Sequence, residues 1–337
     1  MTSVTVAGVD CGTNSIRLMV AEVNESGMTV TVPRIMRVVR LGQDVDKTHR
    51  FDDEALERTY RAVDEFADVL REHPVDALRF VATSATRDAE NREEFENEIE
   101  RRLGVRPDVI PGTEEASLSF LGATSVLESQ RSSDAMPPAP YMVVDLGGGS
   151  TEMVVGGDGE AAPVDRVSAA FSMNIGSVRM SERHLTSDPP TDEQIAQASE
   201  DIDRHIDEAF AKVPAGLTGT LIGVSGTVTT MSGLAMGLRE YDRDAVDGAV
   251  VGIDDARATC DRILRMTRAE RAGYRVIHPG RIDVIGGGAL VWDRVLDRVR
   301  RSVLERSGRR LQSYVTSEHG LLDGIVLDLG WRTMGRR

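Results

Sequence analysis

Residues 143–152 read VVDLGGGSTE: an apolar run closed by an acid, three glycines, two hydroxyls and a second acid. Near the N-terminus, residues 6–15 read VAGVDCGTNS, with the same order of apolar run, acid, glycine and hydroxyls. Each stretch predicts a strand that ends on an aspartate, Asp10 or Asp145, and enters a turn suited to an anion. Glycine admits positive φ, so successive N–H groups can converge on a phosphate, and Ser or Thr hydroxyls add donors. The aspartate itself repels a phosphate, but it can hold a hard divalent cation that in turn holds the phosphate. Glycine-rich hairpins are common, so one copy says little. Two copies, one in each half of the chain, argue for a duplicated domain.

Working outward from the two turns, strands and helices alternate, which is the α/β signature. Strands are predicted at 4–9, 16–23, 30–39, 78–82, 141–145, 152–155 and 219–224. Apolar spacing predicts a helix over 51–72, with Leu56, Tyr60, Val63, Ala67 and Leu70 on one face and Asp52 or Asp53 as its N-cap. Further helices are predicted at 92–103, 113–127, 177–185, 191–212, 228–237, 254–266, 281–300 and 317–329. The polar, Pro-rich stretch 128–140, ESQRSSDAMPPAP, is the best candidate for a domain boundary.

Composition narrows the function classes. The chain has 337 residues, 40% of them apolar and 28% charged, enough for a packed core in two domains. No apolar run reaches the roughly 18 residues of a membrane span, and no secretory signal is visible at the start. Two cysteines, Cys11 and Cys260, cannot build a disulfide framework, so a cytoplasmic location is expected. The six histidines are scattered without zinc spacing. A net charge of −15 argues against general nucleic-acid binding, while a local arginine pocket can still receive a polyanion.

The motifs taken together resemble a known family. They run VDCGTNSIRLMV at 9–20, ATSATRDAENREEF at 82–95, IPGTEEASLSFLGA at 110–123, VVDLGGGSTEMVVG at 143–156, NIGSVRMSER at 174–183, GVSGTVTTM at 223–231, GRIDVIGGGALVW at 280–292 and SEHGLLDGIVLDL at 317–329. The paired turns are similar to those of the actin, sugar-kinase and heat-shock-chaperone superfamily. The full set resembles the exopolyphosphatase and guanosine pentaphosphate phosphohydrolase (Ppx/GppA) family within it. The resemblance implies an α/β chain of two ribonuclease-H-like domains, each a five-stranded mixed sheet with flanking helices, and a cleft between them. The first domain is expected over 1–128 plus a C-terminal helix near 316–332, the second over 140–315, with 129–139 as linker.

The resemblance also implies roles. Glu115, the second acid of the pair opening the 113–127 helix, would be the general base that activates water; Glu114 beside it complements the helix dipole. Arg87 would bind phosphate through its planar fork, with Arg17, which the strand pattern allows to face solvent, ranked below it. Ser150 would polarise the water or bind a phosphate oxygen. The phosphate cradle would comprise Gly12, Thr13, Asn14, Ser15, Gly147, Gly148, Gly149, Ser150, Thr151, Gly226 and Thr227. Asp145, Glu152 and Asp10 would be associated with Mg²⁺. The implied reaction is hydrolysis of the terminal phosphoanhydride of inorganic polyphosphate. Guanosine pentaphosphate is the alternative substrate, and a homodimer is the implied assembly. Longer members of the family carry an HD-type helical region absent here, so short polyphosphate chains are expected. A non-catalytic polyphosphate or nucleotide sensor and a kinase of the same superfamily are the competing classes.

Overall fold

The computed structural model describes residues 2–128, 137–157 and 166–336; most of the expected linker, 129–136, lies outside the described residues. The chain forms two compact units, Met1–Gly122 with Leu321–Arg337, and Ala123–Gly320.

In the first unit, β1 (Val4–Cys11), β2 (Ser15–Asn24) and β3 (Gly27–Val38) form an antiparallel meander. After α1 (Val45–Thr48) and α2 (Asp53–Glu72) come β4 (Ala77–Ala82), α3 (Ser84–Asp88), α4 (Arg92–Leu103), β5 (Asp108–Val109) and α5 (Gly112–Glu128). The sheet order is β3-β2-β1-β4-β5, with β1, β4 and β5 parallel. Asp52 caps α2 as its sequence predicts, accepting from the Ala55 amide. Apolar side chains of α2 and α4, among them Phe66, Phe95 and Ile99, bury one face of the sheet. The other face takes the C-terminal helix, Leu321–Thr333, whose Leu322, Val326 and Leu327 pack with Val6, Met19 and Ala21. Gly8 permits this approach: a Cβ there would lie 2.8 Å from the Val326 side chain.

The second unit opens with β6 (Tyr141–Leu146), β7 (Thr151–Gly156), β8 (Val167–Met173), α6 (Ser177–Arg183) and α7 (Asp192–Phe210). It continues through β9 (Thr220–Val224), α8 (Ser225–Ala235), α9 (Arg243–Val246), β10 (Val250–Gly252), α10 (Ile253–Leu264), α11 (Arg268–Arg271), α12 (Ile285–Ser307) and β11 (Ser313–Ser317). Its order is β10-β11-β9-β6-β7-β8. Five of these strands repeat the first sheet's arrangement, an antiparallel meander beside parallel strands. The sixth, β10, is a three-residue edge strand antiparallel to β11, so this sheet has one strand more than the five expected. Its core is built around Trp292, which meets Tyr314 edge-on at 5.1 Å between ring centroids. Residues 317–320, expected as the start of the last helix, instead finish β11 and a turn. Among the described residues no helix is long and apolar enough to cross a membrane.

Candidate active site

In both sheets the parallel strands end on the same edge, and the candidate residues follow those ends, the usual place for ligands in open α/β sheets. Each duplicated turn has the same internal bond: the Gly12 amide donates to Ser15 O at 3.0 Å, and the Gly147 amide to Ser150 O at 3.0 Å. In each, neighbouring backbone takes up the turn's carbonyls. Thr13 O accepts from the Gly42 amide at 2.8 Å, and Asn14 O accepts from the amides of Val39 and Arg40. Gly147 O accepts from the Ser177 amide, Gly148 O from Val178 and Arg179, and Gly149 O from Arg179 Nε at 2.7 Å. The amides of Thr13, Asn14, Gly148, Gly149 and Ser150 meet no acceptor among the described residues. Carbonyls tied back and amides left open make each turn a cradle for an anion.

Glu115 lies in the first turn of α5 and is buried, with its side chain 8% exposed. Arg87 Nη1 donates to its Oε2 at 2.9 Å and to the Ile110 carbonyl at 2.8 Å. Arg87 sits in a one-turn helix, α3, and its side chain is 22% exposed. The adjacent Glu114 goes elsewhere: its carboxylate accepts from Arg79 at 2.6 Å. Arg79 also holds Asp108 and the buried Asp328 of the C-terminal helix. Neighbouring acids are thereby sorted, one into a structural ion cluster and one beside Arg87.

The two turn aspartates differ in what stands opposite them. Asp10 pairs across the β1–β2 ladder with Arg17, whose Nη1 reaches Asp10 Oδ2 at 3.3 Å. Arg17 is therefore turned to the acid and only partly exposed, not to solvent as the strand pattern allowed. Asp145 pairs across β6–β7 with Glu152, which is 1% exposed and accepts from Ser172 Oγ at 2.7 Å. Like charges directly opposite on one strand pair are unfavourable unless a cation compensates them. Two buried carboxylates fit a hard divalent ion that keeps most of its waters and takes phosphate oxygens, the Mg²⁺ mode. Among the described residues no three His, Cys, Asp or Glu side chains gather as a metal cage.

The other expected residues divide. Ser15 and Ser150 are buried in their turns. The Thr13 hydroxyl bonds Ser84 Oγ at 2.9 Å. Thr151 is fully buried and donates its hydroxyl to Ile175 O at 2.7 Å, a bond that braces the turn. Gly226 and Thr227 open α8 immediately after β9, behind Ser225, whose φ of 78° is the left-handed conformation of a sharp strand-to-helix corner. Gly226 is a contact point: a Cβ there would fall 2.0–2.1 Å from the Arg281 guanidinium. Cys11 and Cys260 are buried, and burial pushes both thiols well up, so neither is a nucleophile.

The model of the Ppx/GppA phosphatase family matches residues 19–328. The chain belongs to that family. Exopolyphosphatase 2 of Mycobacterium tuberculosis is 42% identical over 332 residues, covering 96% of this chain and 98% of the relative. The Ppx/GppA fold is shared with a crystal structure described as an exopolyphosphatase-like protein, 67% identical with a TM-score of 0.95, covering 99% of this chain and 100% of that one. The Ppx/GppA enzyme of Aquifex aeolicus is 27% identical with a TM-score of 0.75, covering 97% of this chain and all of that one. Two arginines of the site were not singled out as ligands in the sequence: Arg281, within the quoted 280–292 motif, and Arg179, within 174–183. Their link to the turns is tertiary, through Gly226 and Gly149, and nothing local in the sequence announces it.

Proposed function

We propose that this Ppx/GppA family member is a Mg²⁺-dependent exopolyphosphatase, a hydrolase that releases orthophosphate from the end of inorganic polyphosphate. The observation that carries the proposal is the buried Glu115 held by Arg87 at 2.9 Å, a carboxylate poised as base beside a cation poised for phosphate. The 42% identity to an exopolyphosphatase over nearly the whole chain supports the choice of substrate.

The open amides of Thr13, Asn14, Gly148, Gly149 and Ser150 bind phosphoryl oxygens. Arg87 is shared between Glu115 and the terminal phosphate, so phosphate arrival loosens its hold on the carboxylate. Glu115 then accepts the proton of the attacking water at a carboxylate oxygen as the terminal phosphoanhydride bond breaks and the shortened chain leaves, and the role given to Ser150 is to bind a phosphoryl oxygen at its own turn. Such catalysis is mostly positioning and charge neutralisation. Asp145 and Glu152 are the residues that would hold Mg²⁺, which when bound neutralises charge on the phosphate oxygens. Asp10, already paired with Arg17, serves chiefly to hold that guanidinium at the first turn. Arg281 beside Gly226 adds a further cation for the phosphate chain.

The test is phosphate release from tripolyphosphate, long-chain polyphosphate, guanosine pentaphosphate and ATP, with Mg²⁺ or with EDTA. The proposal expects the highest kcat/KM on polyphosphate and none with EDTA. Preference for guanosine pentaphosphate would move the substrate. Tight binding without turnover would make the protein a sensor, and transfer to a sugar or to ADP would make it a kinase.

A further inference from the structure

On the second unit, away from the phosphate turns, a cavity of about 420 Å³ is lined by Ile253, Asp254, Arg300, Arg301, Arg310 and Gln312, with Leu304 and Leu311. Three arginines line it beside one aspartate. They belong to the stretch 298–310, RVRRSVLERSGRR, which holds six arginines and one glutamate in a chain of net charge −15. Part of that charge is structural. The fully buried Asp297 is met by Arg257, Arg300 and Arg301 at 2.7–3.1 Å. Arg300 also reaches Asp254 at 2.7 Å, and Arg309 donates to the Thr218 and Gly219 carbonyls. Arg310 has no ion-pair or hydrogen-bond partner among the described residues. Dipole complementarity at the end of α12 accounts for one or two basic residues, not for three converging on one cavity.

The cavity's place in the sheet is fixed by register. Asp145, Val224 and Ser317 stand in one row at the catalytic ends of β6, β9 and β11. Arg310, Leu311 and Gln312 precede the opposite end of β11, one strand length away, about 15 Å. We propose that this cavity is a second polyphosphate-binding site, which holds the distal part of a chain whose end is at the phosphate turn of the same unit, residues 147–150. The inference rests on the polyphosphatase reading above. Guanidinium forks suit successive phosphate oxygens. A short chain cannot touch both places, so the site acts on long chains alone and supplies the holding surface that the expected preference for short chains assumes is missing.

The experiment compares Glu115→Gln with Glu115→Gln/Arg310→Glu for binding of labelled long-chain polyphosphate and of tripolyphosphate, from 50 to 200 mM salt. Arg310 makes no bond that its loss would break. The expected result is roughly 5–10-fold weaker long-chain binding at low salt, a log–log salt slope shallower by about 1, and unchanged tripolyphosphate binding. Unchanged long-chain affinity and slope would overturn the proposal. So would an equal loss on tripolyphosphate, or displacement of the long chain by poly-glutamate at equal charge concentration, which would assign the cavity to an acidic protein partner. Phosphate release by the wild-type protein is scored separately. Turnover of polyphosphate with no effect of Arg310→Glu refutes the second site alone, and absence of turnover refutes the enzymatic reading.

Discussion

The pairing of Glu115 with Arg87 can be tested by a double-mutant cycle using Arg87→Met, Glu115→Gln and the combination. Arg87→Met keeps the stem's bulk and removes the charge. Breaking a fully buried pair typically costs about 3–5 kcal/mol, because the remaining charge stays desolvated. Here the Arg87 side chain is 22% exposed and Glu115 8%, so water partly replaces the guanidinium and roughly half that cost is expected. The Ile110 carbonyl loses its 2.8 Å donor as well, worth about 1 kcal/mol. The single variant should therefore lose about 2.5–3.5 kcal/mol. Glu115→Gln keeps an acceptor for Arg87 and should lose under about 1 kcal/mol. In the double variant residue 115 is neutral and needs no cation, so the loss should be near 1–1.5 kcal/mol, a coupling of about 1.5–3 kcal/mol. Denaturant unfolding measures the stabilities and a phosphate-release assay the rates. Glu115→Gln should lower kcat at least ~10²-fold despite its small effect on stability. Stability effects that add within about 0.5 kcal/mol would refute the ion pair. A kcat within about threefold of wild type would refute the base.

Four other outcomes follow. Gly176→Ala places its Cβ 2.5 Å from Gly148 O and 2.8 Å from Gly149 N, backbone that cannot yield, and should cost about 1–3 kcal/mol with a collapse in kcat/KM. The nearest atoms to a Cβ in Gly226→Ala belong to the movable end of Arg281, so the melting temperature should hold while KM rises, by about tenfold. At Asp201, burial pushes the carboxyl up, but hydrogen bonds from His184 and Arg183 and the charges of Arg183 and His205 outweigh it, leaving it below the ordinary carboxylate range. A depressed folded-state value gives stability that is present above the unfolded value, about pH 4, and is lost as pH falls through the folded one. Stability should thus fall more steeply on acidification in the wild type than in Asp201→Asn; parallel curves would refute the coupling. Glu152→Gln should raise the Mg²⁺ concentration for half-maximal activity by about 10–100-fold, and equal metal dependence would remove Glu152 from the metal site.

The two strand–turn–strand units were legible because their signals are local: an apolar run, an acid, then glycine and hydroxyls. The Asp52 cap and the apolar face of α2 were legible for the same reason. What escaped is set by partners remote in sequence. β10 and β5 are three and two residues long, too short for any periodicity. β8 carries no clean alternation, and all but its last residue are partly or fully exposed. β11 leads directly into the SEHG turn, so its end was read as helix. In the site, the acid-and-glycine turn around Asp145 was legible in the residues themselves, while the roles of Glu115 and Glu152 came only with the family resemblance. That Arg87 grips Glu115 and that Arg281 covers Gly226 are tertiary facts, created when strand ends are brought to one edge.

The comparison of the two turns identifies the position at which the copies diverged. Counting from each aspartate, the cross-strand partner is seven residues on: Arg17 opposite Asp10, Glu152 opposite Asp145. In the first copy the acid is neutralised within the protein, by a guanidinium at 3.3 Å. In the second the facing pair is acid against acid, both nearly buried, a state that improves when a divalent cation is supplied. The backbone of both turns is otherwise alike, down to the same Gly-to-Ser bond. One position therefore separates an acid facing a guanidinium from an acid facing an acid, and under the proposed function that position decides which turn takes a metal with its phosphate. An Arg17→Glu variant should accordingly give the first turn an affinity for divalent cations that the parent turn lacks, measured by metal titration in a Glu152→Gln background. Absence of any such binding would mean that the facing pair does not by itself specify the metal.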